Sequence, residues 1–250
     1  MTPLETRNSQ PARYSPWHIM ASMSEAAAFV IAGGQSSRMG RDKAFLELDG
    51  RTLLERALDL AHSVSDQVMI VGRRDKFGAY ADVVEDVYPG QGPLAGIHAA
   101  LLSSSAELNL MLGVDTPFLD ARFVQYLIEQ AEASKTTVTV PVTSKLPQIN
   151  TDQHRSNMTH SDQCSSVKIS GSASAQPQPL CAVYRREFAA VAEESLRQRR
   201  NNIVPLFAKV SVREIGDSEL RQLAFDPIMF ENLNTPEEWE QARRRLQVKS

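Results

Sequence analysis

Three short stretches of this sequence combine glycines and charged side chains at spacings that suit phosphate chemistry. The first is Ile31-Ala-Gly-Gly-Gln-Ser-Ser-Arg-Met-Gly-Arg-Asp-Lys43. Gly33 and Gly34 follow an apolar run. Adjacent glycines let the backbone approach a ligand closely, and N–H groups exposed in such a turn attract phosphate oxygens. Arg38, Arg41 and Lys43 against Asp42 give residues 34–43 a local charge of +2 in an acidic protein. Mobile cations on a glycine-rich turn suit a triphosphate. The second stretch, Leu110-Met-Leu-Gly-Val-Asp115-Thr-Pro117, delivers one carboxylate at the end of an apolar strand, and Pro117 stops further pairing. Magnesium binds through one or two carboxylates plus substrate phosphates and waters, so Asp115 alone can anchor it. The third is Glu85-Asp-Val-Tyr-Pro-Gly-Gln-Gly-Pro-Leu-Ala-Gly96, an acidic strand end running into a glycine-rich loop and a helix start. A carboxylate accepts two donors and guanine offers N1–H and N2–H₂ together, so Asp86 can read that base. Taken singly, the three features also fit a structural turn, an Asp-capped turn and a solvated strand end. Their combination favours a nucleotide site.

The elements between these stretches predict how they are brought together. Apolar runs at 28–32, 67–71, 83–84, 110–114, 137–142 and 180–184 read as strands. Helical patterns fall at 93–102 and 122–132. Thr52-Leu-Leu-Glu55 has capping-box spacing, with Leu54, Ala57, Leu58 and Ala61 continuing one apolar helical face. Thr235-Pro-Glu-Glu238 starts a last helix running to about Leu246. Strands alternating with helices predict an α/β fold: a mainly parallel sheet flanked by helices on both faces, Rossmann-like, in one domain. Ligands of such sheets bind beyond the carboxyl ends of the strands. Gly33, Gly34, Asp86 and Asp115 all fall at such ends.

Other chemistries find little support. There is no GxGxxG dinucleotide fingerprint, no GxxxxG loop followed by Lys-Ser or Lys-Thr, and no GxSxG elbow around Ser36 or Ser37. His98 falls within a helix and reads as packing or surface. Cys164 and Cys181 form no zinc-ligand pattern. A net charge of −3 excludes a global basic field, so no nucleic-acid partner is expected. No apolar run approaches the roughly 20 residues that cross a bilayer. The cytoplasm is the expected compartment.

Two segments depart from the globular pattern. Residues 1–25 carry Pro3, Pro11 and Pro16 without an apolar face, and read as a disordered tail or a misplaced start with Met23 as the true one. In residues 143–178, 18 of 36 residues are Ser, Thr, Asn or Gln and only five are Leu, Ile, Met or Val. Such a stretch cannot bury enough apolar surface to offset its ordering entropy, which predicts a disordered insertion within a domain spanning 26–250. His154 and His160 have no third ligand at suitable spacing there and read as part of a solvated loop.

The motifs taken together resemble the molybdenum cofactor guanylyltransferase family. The resemblance is carried by residues 31–44, Gly92-Pro-Leu-Ala-Gly96, Asp115-Thr-Pro117, Pro179-Leu-Cys-Ala-Val-Tyr184 and Phe230-Glu-Asn-Leu-Asn-Thr-Pro-Glu-Glu238. It runs in order from about Ala28 to Leu246, interrupted by the insertion. Ala-Gly-Gly at 32–34 resembles the guanylyl branch, whereas cytidylyl relatives typically show Ala-Ala-Gly. The resemblance implies transfer of GMP from GTP to the terminal phosphate of molybdenum-molybdopterin, with magnesium as cofactor and transient docking to pathway or recipient proteins. It implies nucleotide contacts from Ile31, Ala32, Gly33, Gly34, Lys43, Asp86 and Asp115, and catalytic roles for Lys43, Asp115 and Arg38. Asp115 is also the implied metal ligand. Asn234 and Arg200 are expected to face the acceptor, with Arg185, Arg186 and Arg199 as further candidate cations for its phosphate. The family often has an Asn after the second strand; Gly72-Arg73 stands there, and that contact is not carried across. A related enzyme using CTP or a sugar phosphate, and a non-catalytic GTP-binding module, are the competing readings.

Overall fold

The computed structural model describes residues 26–33, 42–144, 175–233 and 235–249. The expected N-terminal tail, most of the expected insertion, and Gly34, Arg38, Arg41 and Asn234 lie outside them.

In chain order the elements are β1 (Ala27–Ile31), a small hairpin of β2 (Glu47–Leu48) and β3 (Arg51–Thr52), α1 (Leu53–His62), β4 (Gln67–Val71), α2 (Arg74–Phe77) and β5 (Asp82–Val84). There follow α3 (Pro93–Ser103), β6 (Leu108–Gly113), α4 (Ala121–Ser134), β7 (Val138–Thr143), β8 (Gln176–Pro177), β9 (Cys181–Arg185) and α5 (Phe188–Arg197). The chain closes with β10 (Val212–Gly216), α6 (Asp217–Gln222) and α7 (Pro236–Lys249).

One mixed sheet holds the strands in the order β10-β7-β9-β6-β1-β4-β5, with β8 added beside β7. β1 pairs in parallel with both β4 and β6, β4 with β5, and β7 with β10. Only β9 and the short β8 run antiparallel. The mainly parallel α/β fold is therefore as expected. All five β1 residues are buried because both faces of the sheet are covered. Side-chain alternation sends Ala28 and Val30 towards α1 and α4, and Phe29 and Ile31 towards α3 and α5.

The chain proceeds from β1 outward to β4 and β5, then crosses back to place β6 on the other side of β1. The strand order thus reverses between β1 and β6, the position at which open α/β sheets bind ligands. Gly33 and Asp115 follow those two strands. The predicted capping box is present: Thr52 Oγ1 accepts from Glu55 N at 3.1 Å, and Glu55 Oε2 accepts from Thr52 N at 2.8 Å. Such a cap contributes about 1 kcal/mol and fixes where α1 leaves the hairpin. Thr235 and Glu238 start α7 with the same pair of bonds.

The edges of the expected insertion need correction. Thr143 is buried in β7, Gln176–Pro177 pairs with it as β8, and Gln178 N donates to Pro141 O at 2.9 Å. Ser144 N donates to Asp217 Oδ2 at 3.1 Å. Backbone pairing decides the fate of these polar residues, and a count of side-chain types does not register it.

Candidate active site

Lys43 opens a short 3-10 turn, Lys43–Phe45, capped by Asp42, whose Oδ1 accepts from Ala44 N at 3.0 Å. Phe45 stacks on Phe77 of α2 with centroids 5.7 Å apart, and Lys76 pairs with Asp42. The turn is thereby held from two sides. It directs Lys43 at the end of β6, where Nζ lies 3.4 Å from Asp115 Oδ2. Both side chains are largely buried, with 13% and 28% exposure, so this ion pair is less screened than a surface pair. Two motifs 72 residues apart meet here, as their assignment to one site requires.

The Asp115 carboxylate lies against a glycine. A Cβ on Gly113 would come within 2.8 Å of Asp115 Oδ1 and 3.3 Å of Leu180 Cβ. Gly113 N donates to Leu180 O at 2.7 Å, and Asp115 O accepts from Leu233 N at 3.1 Å. The backbone just before Asn234 is therefore fastened to the Asp115 turn. Gly113, Leu180 and Leu233 were not among the expected site residues. A glycine inside an apolar strand two places before the key carboxylate was the available signal for the first.

Asp86 occupies the other side of β1. Its Oδ1 lies 3.7 Å from the position a Cβ on Gly96 would take, and Ile31 Cγ2 lies 3.8 Å from the same point. Burial raises the Asp86 pKa from its ordinary value. A half-buried acceptor beside Ile31 and the first turn of α3 can receive N–H donors from a planar ligand. Ile31, Ala32, Gly33, Asp86, Lys43 and Asp115 are thus assembled along one edge of the sheet.

One expected feature takes a different form. The N–H groups of Ala32 and Gly33 both donate to Val71 O, at 3.0 and 3.1 Å, so they secure the end of β1 to β4. Their donors are committed within the fold, and only their closeness of approach is open to a ligand. Gly72 lies alongside, where a Cβ would strike the Phe77 ring at 2.8 Å, and Arg73 turns outward to pair with exposed Asp75.

The basic residues separate into two groups. Arg185 pairs with Leu108 at the amino end of β6, a strand length of about 17 Å from the Asp115 end. Its guanidinium pairs with Glu107 and donates to Thr136 O at 3.2 Å and Ala131 O at 3.1 Å. Arg185 is a clamp on the fold, and neighbouring Arg186 shares its end of the sheet; neither meets the site. Because β9 runs antiparallel to β6, α5 returns towards the carboxyl edge and carries Arg199 and Arg200 with it. Arg199 adopts φ 55°, and Arg200 O accepts from Ser195 Oγ at 2.6 Å. His98 is buried against Tyr88, with ring centroids 5.5 Å apart, and burial lowers its pKa. It packs the interior, as expected.

An open, mainly parallel sheet with a Lys–Asp pair at its switch point and a second carboxylate further along the same edge belongs to the Rossmann-like nucleotidyltransferases. Residues 28–210 match the MobA-like NTP transferase domain, and the chain belongs to that family. A molybdenum cofactor guanylyltransferase from Desulfosudis oleivorans is 32% identical over 229 residues, spanning 90% of this chain and 98% of its own. The crystal structure of molybdopterin-guanine dinucleotide biosynthesis protein A from Archaeoglobus fulgidus superimposes with a TM-score of 0.67 at 23% identity, covering 89% of this chain and 99% of that one. The fold also matches 2-C-methyl-D-erythritol 4-phosphate cytidylyltransferase from Thermus thermophilus, with a TM-score of 0.57 at 18% identity over 88% of this chain and 98% of that one. No helix among the described residues is long and apolar enough to cross a membrane.

Proposed function

We propose that this enzyme transfers GMP from GTP to the terminal phosphate of molybdenum-molybdopterin, releasing pyrophosphate and forming the guanine dinucleotide form of the cofactor. The observation that carries the reading is the Lys43–Asp115 pair at the β1/β6 switch point, in a chain 32% identical to a molybdenum cofactor guanylyltransferase. In this proposal an oxygen of the acceptor phosphate attacks the α-phosphorus of GTP. A P–O bond forms there, and the bond to the bridging oxygen breaks to release pyrophosphate. The attacking phosphate is already an anion near neutral pH, so the reaction requires no general base. What the site must supply is alignment and neutralisation of negative charge.

Asp115 fits a magnesium ion. Gly113 keeps the space beside its carboxylate clear, and Asp115 is the carboxylate proposed to hold the ion. One carboxylate with phosphate oxygens and waters is an ordinary magnesium environment. When bound, the ion would withdraw charge from the phosphates it touches. Lys43 exchanges its contact with Asp115 for the triphosphate and, with Arg38, supports charge developing towards pyrophosphate. Asp86 accepts from guanine N1–H and N2–H₂. Asn234 and Arg200 contact the acceptor. The reaction takes place in the cytoplasm, with transient docking to pathway or recipient proteins.

The test is magnesium-dependent pyrophosphate release from GTP and from CTP, each with and without molybdenum-loaded molybdopterin. Release with GTP plus acceptor alone is expected. A preference for CTP would keep the fold and overturn the base assignment. No release with either, from folded protein and active acceptor, would leave a binding role.

A further inference from the structure

Three polar side chains reach the carboxyl edge by resting on glycines. Asp115 rests on Gly113 and Asp86 on Gly96; the third is Asn201, whose Nδ2 lies 3.8 Å from the point a Cβ on Gly92 would occupy. Gly92 is the N-cap of α3 with φ 70° and ψ −162°, a conformation that favours glycine, so the amide faces bare backbone. The approach of Asn201 is set by the end of α5. Arg199 N donates to Leu196 O and Arg200 N to Ser195 O, both at 2.9 Å, and Ser195 Oγ closes on Arg200 O at 2.6 Å. That knot turns the chain sharply and delivers residue 201 to the start of α3.

Gly92 and Gly96 are four residues apart, about 6 Å along the helix axis. Asn201 thus sets an amide donor against the N-cap of α3, and Asp86 sets a carboxylate acceptor against its first turn. Guanine displays an O6 acceptor beside its N1–H and N2–H₂ donors. We propose that Asn201 is a specificity-determining residue that donates to O6 of the guanine whose N–H groups Asp86 accepts. The assignment rests on the base reading by Asp86 proposed above, and it deepens that reading.

The test measures equilibrium binding of GTP, ITP and 2-aminopurine riboside triphosphate with magnesium and no acceptor. ITP lacks the 2-amino group, and the 2-aminopurine nucleotide lacks O6. Asn201→Ala is expected to weaken GTP and ITP alike by about 3- to 10-fold, the loss of one hydrogen bond, and to leave the 2-aminopurine nucleotide unchanged. Asn201→Asp, which sets a carboxylate against O6, is expected to weaken GTP and ITP further. Asn201 is exposed, so both variants should fold. Equal weakening of all three nucleotides, or no weakening of GTP, overturns the assignment. Asp86→Asn separates the two ideas. If it penalises GTP more than ITP while Asn201→Ala is silent, only the Asn201 assignment falls. If wild-type protein binds GTP no better than CTP and the 2-aminopurine nucleotide, the Asp86 reading falls and takes Asn201 with it.

Discussion

Adding one methyl group at Gly113 tests the geometry of the proposed site without removing any of its functional groups. In Gly113→Ala the new Cβ would lie 2.8 Å from Asp115 Oδ1, against an ordinary contact distance of at least 3.4 Å. The carboxylate must retreat by about 0.6 Å, or Leu180, already 3.3 Å from the same point, must give way with it. Magnesium demands near-ideal octahedral geometry at about 2.0–2.1 Å, and productive sites tolerate displacements of about 0.5 Å. A shift of this size should lower kcat by about 10- to 100-fold. Forcing a methyl group into a packed strand should also cost about 1–3 kcal/mol of stability. At about 2–4 °C per kcal/mol for a chain of this size, the variant melts several degrees lower and remains folded at 25 °C. The assay is pyrophosphate release at 25 °C as a function of magnesium concentration, beside a thermal melt, with Asp115→Asn as the reference for a lost carboxylate. Wild-type turnover with unchanged magnesium dependence in folded Gly113→Ala would refute the argument that the Gly113 surface positions Asp115.

Three further outcomes are expected. Lys43→Ala and Asp115→Ala should keep the fold and each reduce turnover by at least ~10²-fold, and near-normal turnover by either would remove its assigned role. Asp86→Asn should raise the melting temperature at neutral pH while weakening GTP binding. Burial raises the Asp86 pKa in the folded state, so the stability contributed by its proton is complete below the unfolded pKa and lost as pH rises through the folded one. Melts from acidic to neutral pH should therefore show the Asn advantage growing with pH, and a pH-independent difference would contradict this. Arg185→Ala removes bonds to Glu107, Thr136 and Ala131 at the amino end of the sheet. It should cost about 1–3 kcal/mol of stability, read by denaturant unfolding, and leave KM for GTP unchanged. A raised KM with intact stability would return Arg185 to the site.

The parts of this protein that could be read from its sequence are those in which local pattern and tertiary role coincide. β4 falls on residues 67–71 as expected because its apolar run is bounded on both sides. Asp86 and Asp115 could be named because each follows such a run, and Lys43 because it is one of the cations on the glycine-rich turn beyond the first. Strand β10, Val212-Arg-Glu-Ile-Gly216, could not: it lies at the sheet edge, and its charged residues disguise the alternation. The division of the arginines was equally hidden. Arg185 and Arg200 belong to similar basic pairs, and only the antiparallel direction of β9 sends one to the amino end of the sheet and the other towards its carboxyl edge. Asn201 gave no signal at all, since its meaning depends on a glycine 109 positions earlier in the chain.

The pairing of β7 with β8 has a consequence for how this chain tolerates change. Val142 pairs with Pro177 and Thr143 with Gln176, so the described chain on either side of residues 145–174 lies in adjoining strands whose paired Cα atoms are about 5 Å apart. Any chain that joins these two strands closes a loop on the sheet, and doubling a loop's length costs about 0.6 kcal/mol. This rim of the domain is therefore a port at which sequence can be lengthened, cut down to a tight hairpin or replaced by a folded passenger. The strands beneath would keep their register, and the site would keep its dimensions.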